Sequence, residues 1–366
     1  MIGAADTAMP GGHQPRVSVL VTTYNGSRFI AETIDSILCQ TFQDFELVVV
    51  DDGSTDDTAD VVARFNDPRI RIIRNERNLG VVGSRNHGFR ALRGAYVATV
   101  DHDDLWLPTR LEAGVAILDS RPSVDLVATQ VSALVRGRLQ PIRRFHGVTP
   151  MVLRWMLLLD CSMIYSSLLF RYDKARLPDG GFLRPDAVYA DDYELMLRLT
   201  LSGDGAQIDE YLTIYRLHGG NTTYAVRSEM FDNSRGVLAR TYARWLPAGE
   251  ALDTAQLVAR HVARRHPAVS WSELNGVGAA IERLLALFIA TYRPGPSERR
   301  RIEEFAQEAY WRAGRATLRS GRIWLIGCYL RRRSLSILVR LPGDVALSLG
   351  RGLLRLLVRP GQLRRT

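Results

Sequence analysis

Three carboxylates crowd into four residues at Asp101-His102-Asp103-Asp104. At that spacing they repel one another and raise each other's pKa unless a cation neutralises them. Hard oxygen ligands at this density suit Mg²⁺ or Mn²⁺, which bind through one or two carboxylates together with substrate phosphates. A solvated acidic loop is the plainer alternative. A second acidic pair, Asp191-Asp192, opens a helical pattern that continues through Leu195, Leu197 and Leu199. Acids there can do chemistry or simply favour a helix start. Thr22-Thr23-Tyr24-Asn25 and Asp51-Asp52-Gly53-Ser54 offer an aromatic face and carboxylates suited to a base and its imide or ribose donors. The same Asp, Gly and Ser also make an ordinary turn. Tyr215-Arg216-Leu217-His218-Gly219-Gly220-Asn221 adds one histidine, either a ligand or a structural ring.

What positions these clusters is an alternation of strand and helix patterns over residues 16–104. Val17–Thr23, Leu47–Val50, Ile70–Ile73 and Tyr96–Val100 read as strands. Between them, Ile30, Ile34, Ile37 and Leu38 recur at helical spacing, Val61, Val62 and Phe65 mark a short helix, and 83–92 a third. Continuous apolar strands between amphipathic helices predict a mostly parallel sheet covered on both faces, with ligands at the carboxyl ends of its strands. The acidic and aromatic clusters start where these strands stop. Residues 105–225 are mixed and richer in loops, 226–311 are helix-rich, and no internal repeat occurs.

Composition narrows the classes. With 366 residues, 46% hydrophobic and 24% charged, the chain is an ordinary globular protein rather than a disordered or fibrous one. Cys39, Cys161 and Cys328 lie far apart with no C-x-x-C pair, which argues against a disulfide framework or a cysteine zinc site and for a reducing compartment. Residues 1–15 lack the basic and apolar regions of a signal peptide and read as a loose tail. The longest apolar candidate for a membrane span, Trp155–Phe170, has 16 residues and contains Asp160, which is too short. No span is expected.

Taken in order, Thr23-Tyr24-Asn25, Asp51-Asp52-Gly53-Ser54, Asn78-Leu79-Gly80 with Arg85-Asn86, and Asp101-x-Asp103-Asp104 resemble family 2 of the inverting glycosyltransferases. Gly180-Gly181-Phe182, Asp191-Asp192 and Arg216-x-His218 continue that resemblance over about residues 16–222. It implies the GT-A fold, a Rossmann-like nucleotide-sugar-binding α/β domain, here over 16–225 with a helical extension after it. It also implies transfer from a nucleotide-diphosphate sugar to a hydroxyl acceptor, probed through specific positions. Tyr24 would lie against the base, flanked by Thr23 and Asn25, and Asp52, with Asp51 beside it, would bind the base. Gly80 and Arg85 would approach the donor phosphates or sugar, and Asp104 the sugar. Asp101, Asp103 and His218 would hold Mg²⁺ or Mn²⁺. Asp192 would be the general base, with Asp191 standing where the family more often has Glu. A sugar nucleotidyltransferase would need a Gly-rich, Arg-bearing loop after strand one, where Thr-Thr-Tyr-Asn-Gly stands instead.

The net charge of +9 is unevenly placed. Residues 312–366 hold 13 arginines and one acid, Asp344, which leaves the preceding 311 residues slightly acidic. Nucleic-acid binding is not expected, because the basic residues are interleaved with leucine rather than stacking aromatics. Arg312, Arg315, Arg319 and Arg322, and later Arg351, Arg355 and Arg359, recur at helical spacing. The segment reads as amphipathic and attracted to anionic lipid, which implies a cytoplasmic enzyme held on the inner face of the cell membrane. A lipid-linked or growing cell-surface glycan is then the expected acceptor. The alternative is a non-catalytic nucleotide-sugar-binding or membrane-associated protein.

Overall fold

A computed structural model describes residues 14–142, 146–322 and 348. The first strands and helices form where the sequence patterns predict them: β1 (Val17–Thr23), α1 (Ile30–Leu38), β2 (Phe45–Asp51), α2 (Thr58–Ala63), β3 (Ile70–Arg74), α3 (Gly80–Ala91) and β4 (Tyr96–Asp101). These strands pair in parallel in the order β3-β2-β1-β4. Ile30, Ile34 and Ile37 of α1 bury one face against Val17, Val19, Val21, Leu47 and Val49 of the sheet. Each such side chain contributes roughly 1.5–3 kcal/mol when fully buried. On the other face α3 approaches so closely that a Cβ on Gly88 would stand 2.4 Å from Leu20 Cδ1.

The chain continues through β5 (Leu105–Trp106), α4 (Arg110–Ser120), β6 (Val124–Val135), β7 (Arg138–Pro141), α5 (Pro150–Leu157), β8 (Leu168–Arg171), α6 (Asp191–Ser202) and β9 (Asp204–Arg216). Here the expectation of a mostly parallel sheet needs correcting. β8 runs antiparallel to both β4 and β6, β9 is parallel to β6, and β5 is antiparallel to β9. The sheet is mixed, because strand and helix no longer alternate regularly after residue 104.

Two units result, one of residues up to Arg154 together with Ser162–Asn233, the other of Trp155–Cys161 together with the chain from Ser234. The first also holds α7 (Thr222–Ala225) and most of the first turns of α8 (Arg227–Tyr242). The second is helical: the rest of α8, α9 (Ala248–Leu257), α10 (Trp271–Tyr292) and α11 (Pro296–Arg319). Its buried residues include Trp155, Tyr242, Leu284 and Phe288, with the Trp155 and Phe288 rings 5.3 Å apart. Against the expectation of no span, α10 is long and apolar enough to cross a membrane by length and composition: its 22 residues include an 18-residue stretch with a mean hydropathy of 1.4. In this fold Leu274, Val277, Ile281, Leu284 and Phe288 of α10 are buried.

The change of charge at residue 312 is not a structural boundary, since it falls inside α11. Tyr310, Trp311, Ala313 and Leu318 are buried there, and Arg312 pairs with Asp160 at 3.4 Å. The remainder of the expected amphipathic segment, 323–347 and 349–366, lies outside the described residues, as do most of the expected tail, 1–13.

Candidate active site

The carboxyl ends of β1, β2 and β4 finish level. Thr23 is the register partner of Asp51, and Thr22 of Asp101. The polar residues beyond these strands therefore share one edge of the sheet. There Thr23, Tyr24, Asp52, Gly80, Arg85, Asp101, Asp103, Asp191 and Asp192 line one cleft of about 360 Å³ within the first unit.

At the β2 end, Asp52 Oδ1 accepts hydrogen bonds from Asn75 Nδ2 at 2.7 Å and the Leu79 amide at 2.9 Å. Tyr24 stands beside it, 45% exposed, a ring free to stack. Asn25 and Asp51 have a different task. Asn25, in the left-handed region at φ 50°, accepts from the Thr55 amide, and buried Asp51 accepts from the Ser54 amide. Both hold the loops that carry Tyr24 and Asp52, and neither lines the cleft. Gly53, at φ 73°, makes the turn between them possible, because a Cβ would meet the backbone of Arg77 at 2.9 Å.

At the β4 end the three carboxylates diverge. Asp101 receives Arg85 Nη2 at 2.9 Å. Asp103 Oδ2 meets His218 Nε2 at 2.9 Å and Asn221 Nδ2 at 3.3 Å. Asp104, expected near the donor sugar, is instead wholly buried outside the cleft lining. Its oxygens accept from Ser166 Oγ and from the Arg216 amide, tying the loop to β9 and to the turn before β8. Burial first, then the charges of Asp103 and Asp101, push its pKa well above the carboxylate range. Burial also raises that of Asp101, against the opposing pull of Arg85.

The three-ligand set expected for the metal therefore does not converge. Among the described residues no three His, Cys, Asp or Glu side chains surround one point. Asp103 and His218 do meet, Asp103 in the lining of the cleft and His218 outside it, while Asp101 pairs with Arg85. A pair of this kind still fits a divalent ion whose other ligands are substrate phosphates and water.

Arg85 links the two acidic clusters. Its Nη1 donates to Asp191 at 2.7 Å and its guanidinium lies 3.6 Å from the Tyr165 ring centroid. Asp191 and Asp192 open α6 after Tyr189, which is held at φ 60°, a costly conformation for a non-glycine residue and one that clusters at functional sites. Both acids line the cleft, Asp191 buried and Asp192 half-buried. Burial, then the like charge of Asp191, lifts the Asp192 carboxyl to about 7. That is the range in which a carboxylate works as a base near neutral pH.

Other residues of the site carry no mark in the sequence. Tyr165 lines the cleft under Arg85, and Ser166 accepts from the Asp101 amide while donating to Asp104. They sit in an unremarkable Tyr-Ser-Ser stretch more than 60 positions from the acids they serve, so no local pattern marks them. Val226 and Met230 give the cleft an apolar side that was likewise not foreseen.

The family description Glycosyl transferase family 2 matches residues 18–176. A relative from Escherichia coli, UDP-Glc:alpha-D-GlcNAc-diphosphoundecaprenol beta-1,3-glucosyltransferase WfaP, is 27% identical over 219 residues, 60% of this chain and 84% of its own. The structure of S. aureus TarS 1–349 in complex with UDP-GlcNAc aligns with a TM-score of 0.56 at 21% identity, covering 84% of this chain and 91% of that one. Mannosyltransferase PcManGT from Pyrobaculum calidifontis, in complex with GDP-Man and Mn²⁺, aligns at 0.51 and 20% identity, covering 84% and 88%. At such identities the solved structures speak for the fold, and the family match speaks for the chemistry of the domain. Over residues 18–176, a little under half of the chain, the protein is similar to glycosyl transferase family 2; its fold is the GT-A fold, and the match and the named relatives together indicate a glycosyltransferase.

Proposed function

We propose that this enzyme transfers a sugar, with inversion, from a nucleoside-diphosphate sugar to an acceptor hydroxyl in a single displacement. The observation that carries this reading is the shared cleft in which Asp52, Asp103 and Asp192 stand, with Arg85 between the acidic clusters. Asp192 takes the proton of the acceptor hydroxyl as its oxygen bonds to the anomeric carbon and the bond to the leaving diphosphate breaks. Arg85 keeps Asp101 and Asp191 compensated, so the extra negative charge of the donor enters a site that is not already repulsive. Asp103 and His218 would hold a divalent cation. When bound, it neutralises the leaving diphosphate without a proton transfer. Asp191, paired with Arg85, positions the base rather than serving as it.

The acceptor is a lipid-linked or growing cell-surface glycan, presented at the inner face of the membrane, in keeping with the diphosphoundecaprenol substrate in the name of the Escherichia coli relative. A panel of UDP-, GDP- and dTDP-sugars, assayed for hydrolysis and transfer with and without Mn²⁺, tests the reaction class. Asp192→Asn is expected to lower kcat by about 10²–10⁴ and leave donor affinity nearly intact. A greater loss in Asp191→Asn would transfer the role of base to Asp191.

A further inference from the structure

The hydrogen bonds around Asp52 bear on which nucleotide the donor carries, a question that rests on the glycosyl-transfer reading above but is not answered by it. A carboxylate oxygen offers two lone-pair sites. Asp52 Oδ1 has both occupied, by Asn75 Nδ2 at 2.7 Å and the Leu79 amide at 2.9 Å. Oδ2 has no partner among the described residues, and Asp52 lines the cleft beside Tyr24. Only one oxygen is therefore open to a base.

That arrangement is held from behind. Asn75 is buried, its amide donates to the Asp51 carbonyl at 2.8 Å, and its side-chain oxygen lies 2.5 Å from His87 Nδ1. Turning the Asn75 amide over would set its oxygen against the Asp52 carboxylate, acceptor against acceptor. The network thus requires His87 to donate from Nδ1 and Asn75 to donate to Asp52. Asp52 cannot release Oδ1 without leaving the Asn75 and Leu79 N–H groups unpaired.

Guanine offers a fork, N1–H and N2–H₂ side by side, which a carboxylate satisfies with both oxygens. With Oδ1 full, one of those donors would be left without its match. Uracil and thymine offer a single imide N–H between two carbonyls, a stronger donor than the amino N–H of cytosine or adenine. We infer that Asp52, fixed by Asn75 and His87, selects a uracil- or thymine-bearing donor and discriminates against guanine. Sites built around specific hydrogen bonds discriminate strongly, because a mismatched ligand leaves polar groups unpaired.

Calorimetric titration of the full chain with UDP, dTDP, CDP, GDP and ADP in the presence of Mn²⁺ tests this. UDP or dTDP should bind about ten-fold or more tightly than the other three. In Asp52→Asn the amide oxygen keeps the Oδ1 bonds and the NH₂ replaces Oδ2. A donor then faces the cleft, which suits the N3 acceptor of cytosine and opposes the imide, so the UDP-to-CDP preference should reverse. Asn75→Ala leaves Asp52 in place but frees a lone pair on Oδ1, and should narrow the UDP-to-GDP ratio. Equal or tighter binding of GDP by the wild type, or variants that weaken every nucleotide in proportion, would overturn the assignment while leaving glycosyl transfer intact. Failure of every nucleotide to bind would overturn both.

Discussion

As the proposed base, Asp192 would act only when ionised, and burial together with Asp191 lifts its carboxyl to about 7. Its protonated form dominates below that value, so kcat should fall as pH drops through about 7 and level off above it. The raised pKa is a property of the site, not of aspartate in general. Asp191→Asn removes the neighbouring negative charge, and the acid limb of the kcat profile should then move to lower pH even as Arg85 loses a partner. An unmoved limb in that variant would mean that another group titrates. The acids in this site were legible because their types are rare in such density at strand ends. Their division of labour was not. Asp104 looks like its neighbours in sequence, yet Ser166 and the Arg216 amide, 62 and 112 positions away, withdraw it from the cleft. Asp101 was read as a metal ligand, but Arg85 lies close enough to claim it. Which carboxylate meets a cation and which meets a guanidinium is decided by long-range packing, and spacing alone cannot carry that information.

At the scale of elements, α3 sets where Arg85 stands. Gly88 lies one turn after Arg85 on that helix, and a Cβ there would come within 2.4 Å of Leu20 Cδ1 and 2.9 Å of Val50 Cγ2. Gly88→Ala must push the helix from the sheet or force Leu20 off its rotamer. Overpacking of this kind typically costs about 1–3 kcal/mol. A lower melting temperature is expected together with a loss of kcat, because Arg85 moves with its helix away from Asp101 and Asp191. Melting and activity unchanged from the wild type would mean that the packing relaxes without moving α3. The strands β1 to β4 could be read locally, since each is an apolar run bounded by turn residues and each pairs with a neighbour in the same βα pattern. β6 and β9 could not: they pair over 80 or so positions, with register shifts near Thr129 and Gln130, and their alternation is broken by those bulges. Helix α10 falls in the stretch that reads as helix-rich, but its apolar length does not show there. Its apolar run is interrupted by Glu282 and Arg283, which hides its length from a search for uncharged stretches.

The charge of the whole molecule is concentrated beyond the last described helix. After Arg322 the chain carries nine arginines and a single acid, Asp344. Near an anionic surface each arginine contributes about 1 kcal/mol, and the attraction decays within a Debye length, so it should be sensitive to salt. α11 itself is poorly suited to that role, because Ile302, Phe305, Tyr310, Trp311 and Leu318 are buried and Arg312 is paired with Asp160. A cut at residue 309 would remove part of that buried face, whereas one after Arg322 keeps the helix whole. Among the described residues, Ser348 is buried and accepts from Arg319 Nε at 3.1 Å. The two roles separate in one comparison. The full chain should co-sediment with phosphatidylglycerol vesicles at low salt and be released at high salt. The 1–322 chain should melt cooperatively, bind nucleotide as before and stay in the supernatant. Vesicle binding by 1–322, or none by the full chain, would remove the membrane role from residues 323–366. Loss of cooperative melting in 1–322 would instead assign those residues to the core of the helical unit.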